Sequence, residues 1–579
     1  MPSLNWIGKD KVINYSSKVP YQVLNKVFSY SNEGNTTDNI IVHGDNLVAL
    51  KSLLPKYEGR VDVVYLDPPY NTGNEGWCYN DNVNDPKIQK WLGEAVGAEG
   101  EDLCRHDKWL CMMYPRLSLI RRMLSAEGVV FISIDDNELY NLKAICDEIF
   151  GSNCFVANIS WQRTYSPKND AKGISSEVEH LLVYSSNPGW SPKRLPRTEK
   201  MNKLYKNPDN DVSPWRNSDA FASDAKAHQG MVYAIQHPFT GELIYPYANG
   251  HWRYSQQEML EHMNGWCAYE LRELHDIEKR AEICGVDTQI IKKDINAIML
   301  RESLEVSRKK AQKVLDYGPW PKFYFTKNGK GGIGRKTYLN EVEGRLVTNF
   351  WPHSDVGHTD EAKKELKIIF DGDIPFDTPK PTALIEQILR IASNKNSIVL
   401  DAFAGSGTTG HATIKLNAED GGHRQFVLIE MGDFAKDVTA ERVKRAIEGF
   451  GEGKNATPGT LGGFSFYELG ETLFDSEGNL RDSIPEEKIR EFIYYTETRS
   501  PLKKERKAGS YLLDCFNNTG FYFFYKPHEL TVLNYDTLSI IEEKADSYVI
   551  YADTCTLAEE FMLKNNIVFK KIPRDIKQF

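Results

Sequence analysis

The chain has 579 residues, of which 41% are hydrophobic and 26% are charged, a composition typical of a globular protein rather than of a disordered or fibrous one. At roughly 100–200 residues per domain, this length predicts about three or four domains. The formal net charge of −10 excludes a protein that is basic throughout, but nucleic-acid binding needs only a local basic groove and is not excluded.

Neither a membrane anchor nor a metal site is expected from the sequence. No apolar run approaches the roughly 20 residues of a membrane span, and the first residues lack the apolar core of a signal peptide, so we expect a cytosolic protein. The nine cysteines contain no C-x-x-C pair, which disfavours both a disulfide framework and a structural zinc site. Cys104, His106 and Cys111 lie close in sequence, but we interpret them as scattered reduced residues that bind no metal.

The first part of the chain alternates between β-type and helical patterns. Apolar β-type runs predict strands at 40–46, 60–66, 128–135 and 180–185. Helical patterns follow the first three of these runs, at 47–54, 114–125 and 137–150. Strands that alternate with helices predict an α/β fold with a doubly wound parallel sheet.

The region 186–350 interrupts this alternation, because it is rich in Trp, Tyr, Pro, Asn and Lys and has one long predicted helical stretch at 268–315. Since β-type runs resume after it, we expect an insertion between two halves of one sheet. Residues 301–345 hold eleven Lys or Arg against five Asp or Glu. A solvated helix face with a charged loop explains this charge as well as nucleic-acid binding does, although interleaved aromatic residues favour nucleic acid. These aromatic residues are Trp320, Phe323, Tyr324 and Tyr338.

A glycine cluster at 329–337 is similar to a phosphate-binding loop. The inserted Arg335 breaks the G-x-x-x-x-G-K-[ST] spacing, and no apolar strand precedes the cluster. We therefore expect a flexible basic loop there and no nucleoside-triphosphate motor in this chain.

The second half of the chain predicts strands at 397–402 and 426–430 with a helix between them. The Gly-rich run 451–463 predicts a linker, and a smaller α/β part follows it. That part contains predicted strands at 547–553 and 567–572, with a helix at 556–566. The predicted division of the chain is 1–185, 186–350, 351–450 and 451–579.

A glycine-rich turn follows the strand at 397–402. Gly405, Gly407 and Gly410 fit G-x-G-x-x-G before a helix, and Glu430 ends the next strand about twenty residues later. Such a turn lets the backbone approach a ligand, the helix start offers N–H groups, and a carboxylate can accept two ribose hydroxyls. This pattern predicts an adenosine-containing cofactor without separating NAD from S-adenosylmethionine. A tight turn without a ligand is the alternative.

The tetrapeptide Asp67-Pro68-Pro69-Tyr70 ends the strand at 60–66. An exocyclic adenine amine is a poor nucleophile until acceptors bind its hydrogens, and the Asp67 carboxylate and the Pro68 carbonyl could supply two. The two prolines restrict the backbone so that these oxygens stay in place. Tyr70 offers a face for a flipped base, and such stacking contributes about 1–3 kcal/mol. A rigid turn at a strand end is the alternative interpretation.

With both motifs present in this order, the chain resembles the β-class DNA adenine-N6 methyltransferases, in particular the modification (Mod) subunits of type III restriction systems. In that class the D-P-P-Y motif comes first, a target-recognition region follows, and the F-x-G-x-G motif comes last, here Phe403–Gly407. Other stretches that are similar to Mod proteins are LDPPYNTG (66–73), FISIDDNE (131–138), NPDND (207–211), WRYS (252–255), TDEAKKEL (359–366), FDTPKP (376–381) and ELGETL (468–473).

The resemblance implies a Rossmann-like S-adenosylmethionine-dependent methyltransferase domain with circularly permuted motif order, a target-recognition domain inserted at 186–350 and a small C-terminal α/β domain. It implies that Asp67, Pro68, Pro69 and Tyr70 hold the target adenine. The cofactor-binding residues that it implies are Asp45, Lys380, Pro381, Asp401, Phe403, Ala404, Gly405, Ser406, Gly407 and Glu430. Among these, Glu430 would take the ribose hydroxyls, and Lys380 and Pro381 would pack near the methionine end.

Two residues of that set can also be explained by structural roles that involve no ligand. Asp45 is equally well explained as the N-cap of the helix that follows it. Asp401 could be a polar strand end.

The reaction that the resemblance implies is direct methyl transfer to adenine N6 in double-stranded DNA, without a metal or a covalent enzyme intermediate. The implied partners are DNA, a second Mod copy and a helicase-nuclease restriction subunit. N4-cytosine methylation is the nearest alternative, although those enzymes tend to have Ser in place of Asp67. An NAD-dependent oxidoreductase built on the Gly405–Gly410 turn would leave the tetrapeptide unexplained. A DNA-binding subunit with a decayed site is disfavoured because both motifs are complete.

Overall fold

Ten strands form the main sheet in this computed structural model, which describes residues 4–32, 38–72, 90, 105–166, 174–503 and 509–576. In chain order, strands β1 to β10 are Gln22–Ser31, Ile40–His43, Val61–Leu66, Leu124–Ile134, Phe155–Gln162, Val178–Ser185, Phe350–Trp351, Ile398–Asp401, Gln425–Glu430 and Gly463–Thr472. Their order across the sheet is β1-β10-β2-β9-β8-β3-β4-β6-β5-β7. The six strands from β10 to β4 are parallel to one another, which confirms the doubly wound α/β fold.

The register of the central strands determines which loops meet. Strands β3 and β8 are parallel neighbours, with Tyr65 opposite Asp401, and β8 pairs in the same direction with β9, with Asp401 opposite Leu428. Their apolar residues are almost completely buried, as expected for parallel strands covered on both faces. The segments that follow β3, β8 and β9 therefore lie side by side at the carboxyl edge of the sheet.

Helices precede or follow most strands of the main sheet. In chain order, α1 to α8 are Asn46–Tyr57, Arg105–Met123, Leu139–Cys146, Thr359–Ile369, Thr382–Ala392, Thr408–Asp420, Glu441–Glu448 and Glu486–Thr498. Helix α2 extends nine residues before the predicted start at 114, and the strand β4 begins directly after it. Within the described ranges, no helix is both long and apolar enough to cross a membrane.

The C-terminal part has a four-stranded sheet of its own, made of Leu512–Phe516, Thr519–Phe523, Ser547–Ala552 and Ile567–Lys571. A short helix, Glu559–Lys564, precedes the last strand. Phe523 and Tyr551 share one core with Tyr495 of α8, and the compact unit that holds the main sheet comprises Met1–Lys193 and Val347–Phe579. Strand β10 lies beyond the predicted linker 451–463 yet belongs to the main sheet, so that linker does not separate the tail from the sheet.

A second compact unit comprises Arg194–Leu346, within the predicted insertion. Its three sheets are formed by Leu243–Ile244, Ile235–Gln236, Ala297–Leu300 and Tyr269–Arg272; by Gly250–Trp252 and Phe221–Ser223; and by Phe323–Phe325, Ile333–Tyr338 and Trp215–Asp219. Its longer helices are Gln256–Met263, Ile277–Cys284 and Leu304–Tyr317. The assignment of this region to target recognition remains a prediction.

The prediction of a single long helix at 268–315 is wrong. Two of the helices just given lie there, separated by strand Ala297–Leu300, which pairs with Tyr269–Arg272. The first helix ends because Gly285 adopts a left-handed conformation with φ +64°, which reverses the chain direction.

The glycine cluster at 329–337 is not a flexible loop throughout, since its second half lies in strand Ile333–Tyr338. Lys336, which contributes to the basic count, is fully buried and lies 2.5 Å from both Asp209 and Asp211. Both aspartates belong to the NPDND stretch, so this lysine adds nothing to a surface charge.

Candidate active site

The Asp67–Tyr70 tetrapeptide follows β3 directly. The strand ends here because Pro68 and Pro69 have no N–H groups for the ladder. The indole of Trp109 on α2 donates a hydrogen bond of 2.7 Å to the Pro69 carbonyl and fixes the turn. Among the described residues, no backbone N–H outside the regular elements donates to the Pro68 carbonyl.

Asp67 lies in a buried cluster of charged groups. Its two carboxylate oxygens both accept from the Lys380 ammonium at 2.7 Å, and Oδ1 also accepts from the Tyr70 hydroxyl at 3.0 Å. Glu179 of β6 lies 3.1 Å from the same hydroxyl, and Arg163 donates to Glu179 at 2.8 Å. Among these four charged side chains, two carboxylates thus face two cations.

The environment of Lys380 favours its charged form. Burial alone would lower the pKa of Lys380, but the carboxylates of Asp67 and Glu179 outweigh this effect and raise that pKa above its usual value. Its ammonium also lies over one face of the Tyr70 ring, 5.0 Å from the centroid. A protonated Lys380 therefore connects the D-P-P-Y motif with the start of α5.

The glycine turn at 403–407 begins directly after β8. Gly405 and Gly407 have φ values of +53° and +82°, which disfavour residues with a side chain. A Cβ on Gly407 would lie 2.7 Å from the Thr439 carbonyl oxygen, and one on Gly405 would lie 3.2 Å from the Phe376 ring. The sequence therefore needs glycine at both positions to bring this backbone close to its neighbours.

Asp401 holds the turn in shape. Its carboxylate accepts from the Phe403 N–H at 3.0 Å and from the Thr409 hydroxyl at 2.5 Å, so it connects the end of β8 to the first turn of α6. Burial raises the pKa of Asp401 to about 7. These contacts are those of a structural residue, and its predicted contact with a cofactor remains a prediction.

Glu430 ends β9 next to the turn and is completely buried. Its two carboxylate oxygens accept from the backbone N–H groups of Gly405 at 2.8 Å and Gly432 at 2.7 Å. Glu430 thus joins the glycine turn to the segment after β9, and its predicted contact with the ribose remains a prediction.

Asp45 follows β2, the next strand of the sheet. Its side chain accepts from the Leu47 N–H at 2.8 Å as the N-cap of α1 and from Arg116 at 3.1 Å. The capping alternative is thus confirmed, and a cofactor contact of Asp45 remains a prediction.

A buried arginine supports the turn from behind. Arg442, on α7, donates to the hydroxyls of Ser406 at 2.8 Å and Thr408 at 2.7 Å. Its other terminal nitrogen lies 3.2 Å from Glu365 of α4 and 3.0 Å from Thr382 of α5. This one side chain therefore connects the glycine turn to three helices.

A small cleft lies between the two motifs. Seven predicted site residues line it: Asp67, Lys380, Asp401, Phe403, Ala404, Gly405 and Ser406. The sequence did not predict six others that line it, namely Tyr65, Phe376, Thr378, Pro379, Thr408 and Thr409. The predicted residues Asp45, Pro68, Pro69, Tyr70, Pro381, Gly407 and Glu430 are not among its lining residues.

Sequence reasoning also missed Arg163, Glu179, Glu365 and Arg442, since none of them lies in the two motifs. Glu365 does lie in TDEAKKEL, one of the stretches similar to Mod proteins, and that was the only available signal. The other three come from segments distant in sequence, and local patterns give no sign of their roles.

The Cys104, His106 and Cys111 group can be described only in part, because Cys104 lies outside the described residues. The ring of His106 lies 2.6 Å from Glu138, and Cys111 is buried. Among the residues that the structure describes, no cluster of three potential metal ligands occurs.

The fold and this site define an α/β protein in which a D-P-P-Y turn and a glycine-rich turn open on one cleft. Residues 61–441, about two thirds of the chain, match the family model described as N6_N4_Mtase, DNA methylase. The chain belongs to this DNA methylase family.

Several characterised proteins are similar over most of the chain. The type III restriction-modification enzyme StyLTI Mod subunit of Salmonella typhimurium is 33% identical over 440 residues, which are 73% of this chain and 57% of that protein. The EcoP15I Mod subunit of Escherichia coli is 28% identical over 468 residues, which are 75% of this chain and 65% of that protein. The chain therefore spans about three fifths of the length of these two relatives.

Among solved structures, the putative DNA modification methylase TTHA0409 of Thermus thermophilus, in complex with S-adenosyl-L-methionine, is similar. It is 13% identical, with a TM-score of 0.30, over 74% of this chain and 99% of that chain.

Proposed function

We propose that this protein is a sequence-specific DNA methyltransferase that transfers the methyl group of S-adenosylmethionine to N6 of a flipped adenine in double-stranded DNA. The observation that carries the proposal is that Asp67 and the glycine turn at 403–407 line the same cleft. A group that binds the amine and a turn suited to the cofactor are thereby next to each other. The similarity to Mod subunits supports a role as the modification subunit of a type III system.

The residues of the cleft fit the cofactor. A Cβ at Gly405 would lie 3.2 Å from the Phe376 ring, a tight contact that favours bare backbone in the turn, and the first turn of α6 leaves N–H groups without intrahelical acceptors. Phe403 to Gly407 would hold the cofactor, with Glu430 at its ribose and Lys380 and Pro381 near its methionine end. When bound, S-adenosylmethionine supplies a methyl group on a sulfonium, which is already a good leaving group.

The contribution of the protein is positioning rather than strong base catalysis. The Asp67 carboxylate and the Pro68 carbonyl accept the hydrogens of the target amine and orient its lone pair. The Tyr70 ring would support the extruded base by stacking.

By the same similarity, we infer that the working assembly contains a second copy of the chain and a helicase-nuclease restriction subunit, and that it acts on DNA in the cytosol. Size-exclusion chromatography with light scattering on the purified protein measures whether the chain forms a dimer. A monomeric mass at micromolar concentration would contradict the inferred second copy.

The assay that tests the reaction uses the purified full chain, unmethylated bacterial genomic DNA and S-adenosylmethionine. Nucleoside mass spectrometry and sequencing that detects modified bases then identify the product and its sequence context. We expect N6-methyladenine confined to one short motif. Detection of N4-methylcytosine would show that the target base is cytosine instead of adenine. An absence of methyl transfer despite cofactor binding would indicate a decayed or partner-dependent enzyme.

Substitution of Tyr70 separates its ring from its hydroxyl. Tyr70→Ala removes a stacking surface that contributes about 1–3 kcal/mol, so we expect a larger loss of methylation than with Tyr70→Phe. Tyr70→Phe still loses a hydrogen bond to a carboxylate, and we expect its rate to fall about tenfold. Single-turnover methyl incorporation measures the rate constants of both variants. An equal fall of the two rate constants would refute the stacking role.

A further inference from the structure

Glu179 is a second carboxylate next to Asp67 that neither motif contains. It is the second residue of β6, and its side chain is only 7% exposed. One of its oxygens accepts from Arg163 at 2.8 Å, and the other lies 3.1 Å from the Tyr70 hydroxyl. The ion pair with Arg163 offsets the cost of burying this carboxylate and leaves its second oxygen facing the Asp67 cluster.

Asp67 is largely occupied in this arrangement. A carboxylate offers about four lone-pair positions, and Asp67 uses three of them for Lys380 and Tyr70. The Pro68 carbonyl accepts one hydrogen of the incoming amine, so Asp67 has to accept only the other. Asp67 becomes a stronger acceptor for that hydrogen when the Lys380 ammonium no longer bonds to both of its oxygens.

Glu179 offers both donors another acceptor. The Lys380 ammonium lies 3.9 Å from Glu179, about 1 Å beyond hydrogen-bond distance. The Tyr70 hydroxyl has one proton and lies 3.0 Å from Asp67 and 3.1 Å from Glu179, so it can donate to either. A small movement of the lysine side chain and a rotation of the Tyr70 O–H would transfer both donors to Glu179.

We propose that Glu179 is a positioning residue for methyl transfer, which takes over Lys380 and the Tyr70 hydroxyl when the target amine binds Asp67. This inference rests on the proposed function. Without Glu179, a lysine that moved away from Asp67 would be an unpaired buried charge. With Glu179 present, the lysine stays paired while Asp67 becomes free.

The chemical step then balances. The target N6 forms its bond to the methyl carbon as the bond between that carbon and sulfur breaks, and the positive charge passes from sulfur to N6. N6 regains neutrality by releasing one proton to Asp67, from which the proton passes to water. Asp67 accepts that proton more readily when Lys380 is paired with Glu179 instead.

The first experiment compares the wild type with Glu179→Gln in single-turnover methylation of a duplex that contains the methylated motif found by sequencing. We expect the rate constant to fall about 100-fold, as is typical for a misplaced reacting group, while the Kd for S-adenosylmethionine changes less than about threefold. Glu179→Asp keeps the charge and should retain more activity than Glu179→Gln, which keeps the size. The opposite order would overturn the proposal.

A second measurement does not depend on turnover. The variants are titrated with two duplexes that differ only at the target, which is adenine in one and an abasic site in the other. The preference for adenine reports the contacts that the base makes, so we expect it to fall at least about fivefold in Glu179→Gln. An unchanged preference together with an unchanged rate would overturn the proposal.

Glu58 provides a matched control. It also accepts from an arginine, Arg122 at 2.8 Å, and from a tyrosine hydroxyl, that of Tyr495. It lies before β3, at the opposite edge of the sheet, and we expect Glu58→Gln to leave the adenine preference unchanged. An equal loss of that preference in both variants would show a general effect of stability and overturn the specific role.

If Glu179→Gln does not fold, Arg163→Gln combined with Glu179→Gln removes one charge of each sign and leaves the net charge of the cluster unchanged. Methylation by this double variant should remain low, and recovery to the wild-type rate would contradict the role of Glu179. If the wild type transfers no methyl group to any DNA, the proposed function fails and this inference fails with it. An active wild type with an equally active Glu179→Gln variant overturns this inference alone.

Discussion

Replacement of Asp67 by asparagine is expected to lower the rate of methyl transfer by about 10²–10³-fold, comparable to the loss of one preorganised polar group in other active sites. The amide has a single acceptor oxygen, and its NH₂ group would face the hydrogens of the target amine. Lys380 would lose its close partner and pair with Glu179, 3.9 Å away. Single-turnover incorporation of a labelled methyl group measures the loss.

Binding of the cofactor should survive this change. The turn at 403–407 is held by Asp401, Glu430 and Arg442 and has no hydrogen bond to Asp67, so calorimetry should give a Kd for S-adenosylmethionine within about threefold of the wild type. Asp62→Asn is the control, because Asp62 lies at the other end of β3 and accepts from the Ile398 N–H at 3.0 Å. Normal turnover by Asp67→Asn would refute the assignment of the site.

The sequence predicted those parts of the site that are formed by residues close together in the chain. An apolar strand that ends in Asp67-Pro68-Pro69-Tyr70, and another that ends in the glycine turn, each predict a loop at a carboxyl end. Parallel pairing then brings such ends together, because the side-by-side connections of an α/β sheet place them at one edge. The contact of both motifs with one cleft could therefore be expected from the sequence alone.

The charge cluster around Asp67 could not be predicted in the same way. Glu179 is 109 residues from Tyr70 in sequence, and the two meet because β6 runs antiparallel beside β4. An alternating strand with a charged residue near its start normally places that charge in water. Only the pairing of the sheet shows that Glu179 faces Asp67.

Counted charge was also a poor guide to surface charge. Lys336 belongs to a region with eleven basic residues, but its ammonium is buried against Asp209 and Asp211, more than 120 residues earlier. In the same region, the helical pattern at 268–315 concealed strand Ala297–Leu300, because a short apolar run does not distinguish a strand from a buried helix segment.

Arg442→Met should have the largest effect on stability of the substitutions considered. Its side chain is completely buried and pairs with Glu365, which is 28% exposed, and leaving this partly buried carboxylate without its partner costs about 1–3 kcal/mol. Ser406 and Thr408 would also lose their common donor, so the turn should order less well and the Kd for S-adenosylmethionine should rise about tenfold. Urea unfolding and calorimetry measure the two effects.

Two companion variants identify the cause of that loss. Arg442→Met combined with Glu365→Gln leaves no unpaired carboxylate, so we expect it to regain part of the free energy of unfolding but not the cofactor affinity, because Ser406 and Thr408 still lack their donor. Arg445→Met removes an arginine three residues further along α7 that is 28% exposed and pairs with Asp371 and Glu441, and it should cost at most about 1 kcal/mol. Equal losses from Arg442→Met and Arg445→Met would show that burial of the first pair is not what stabilises the turn.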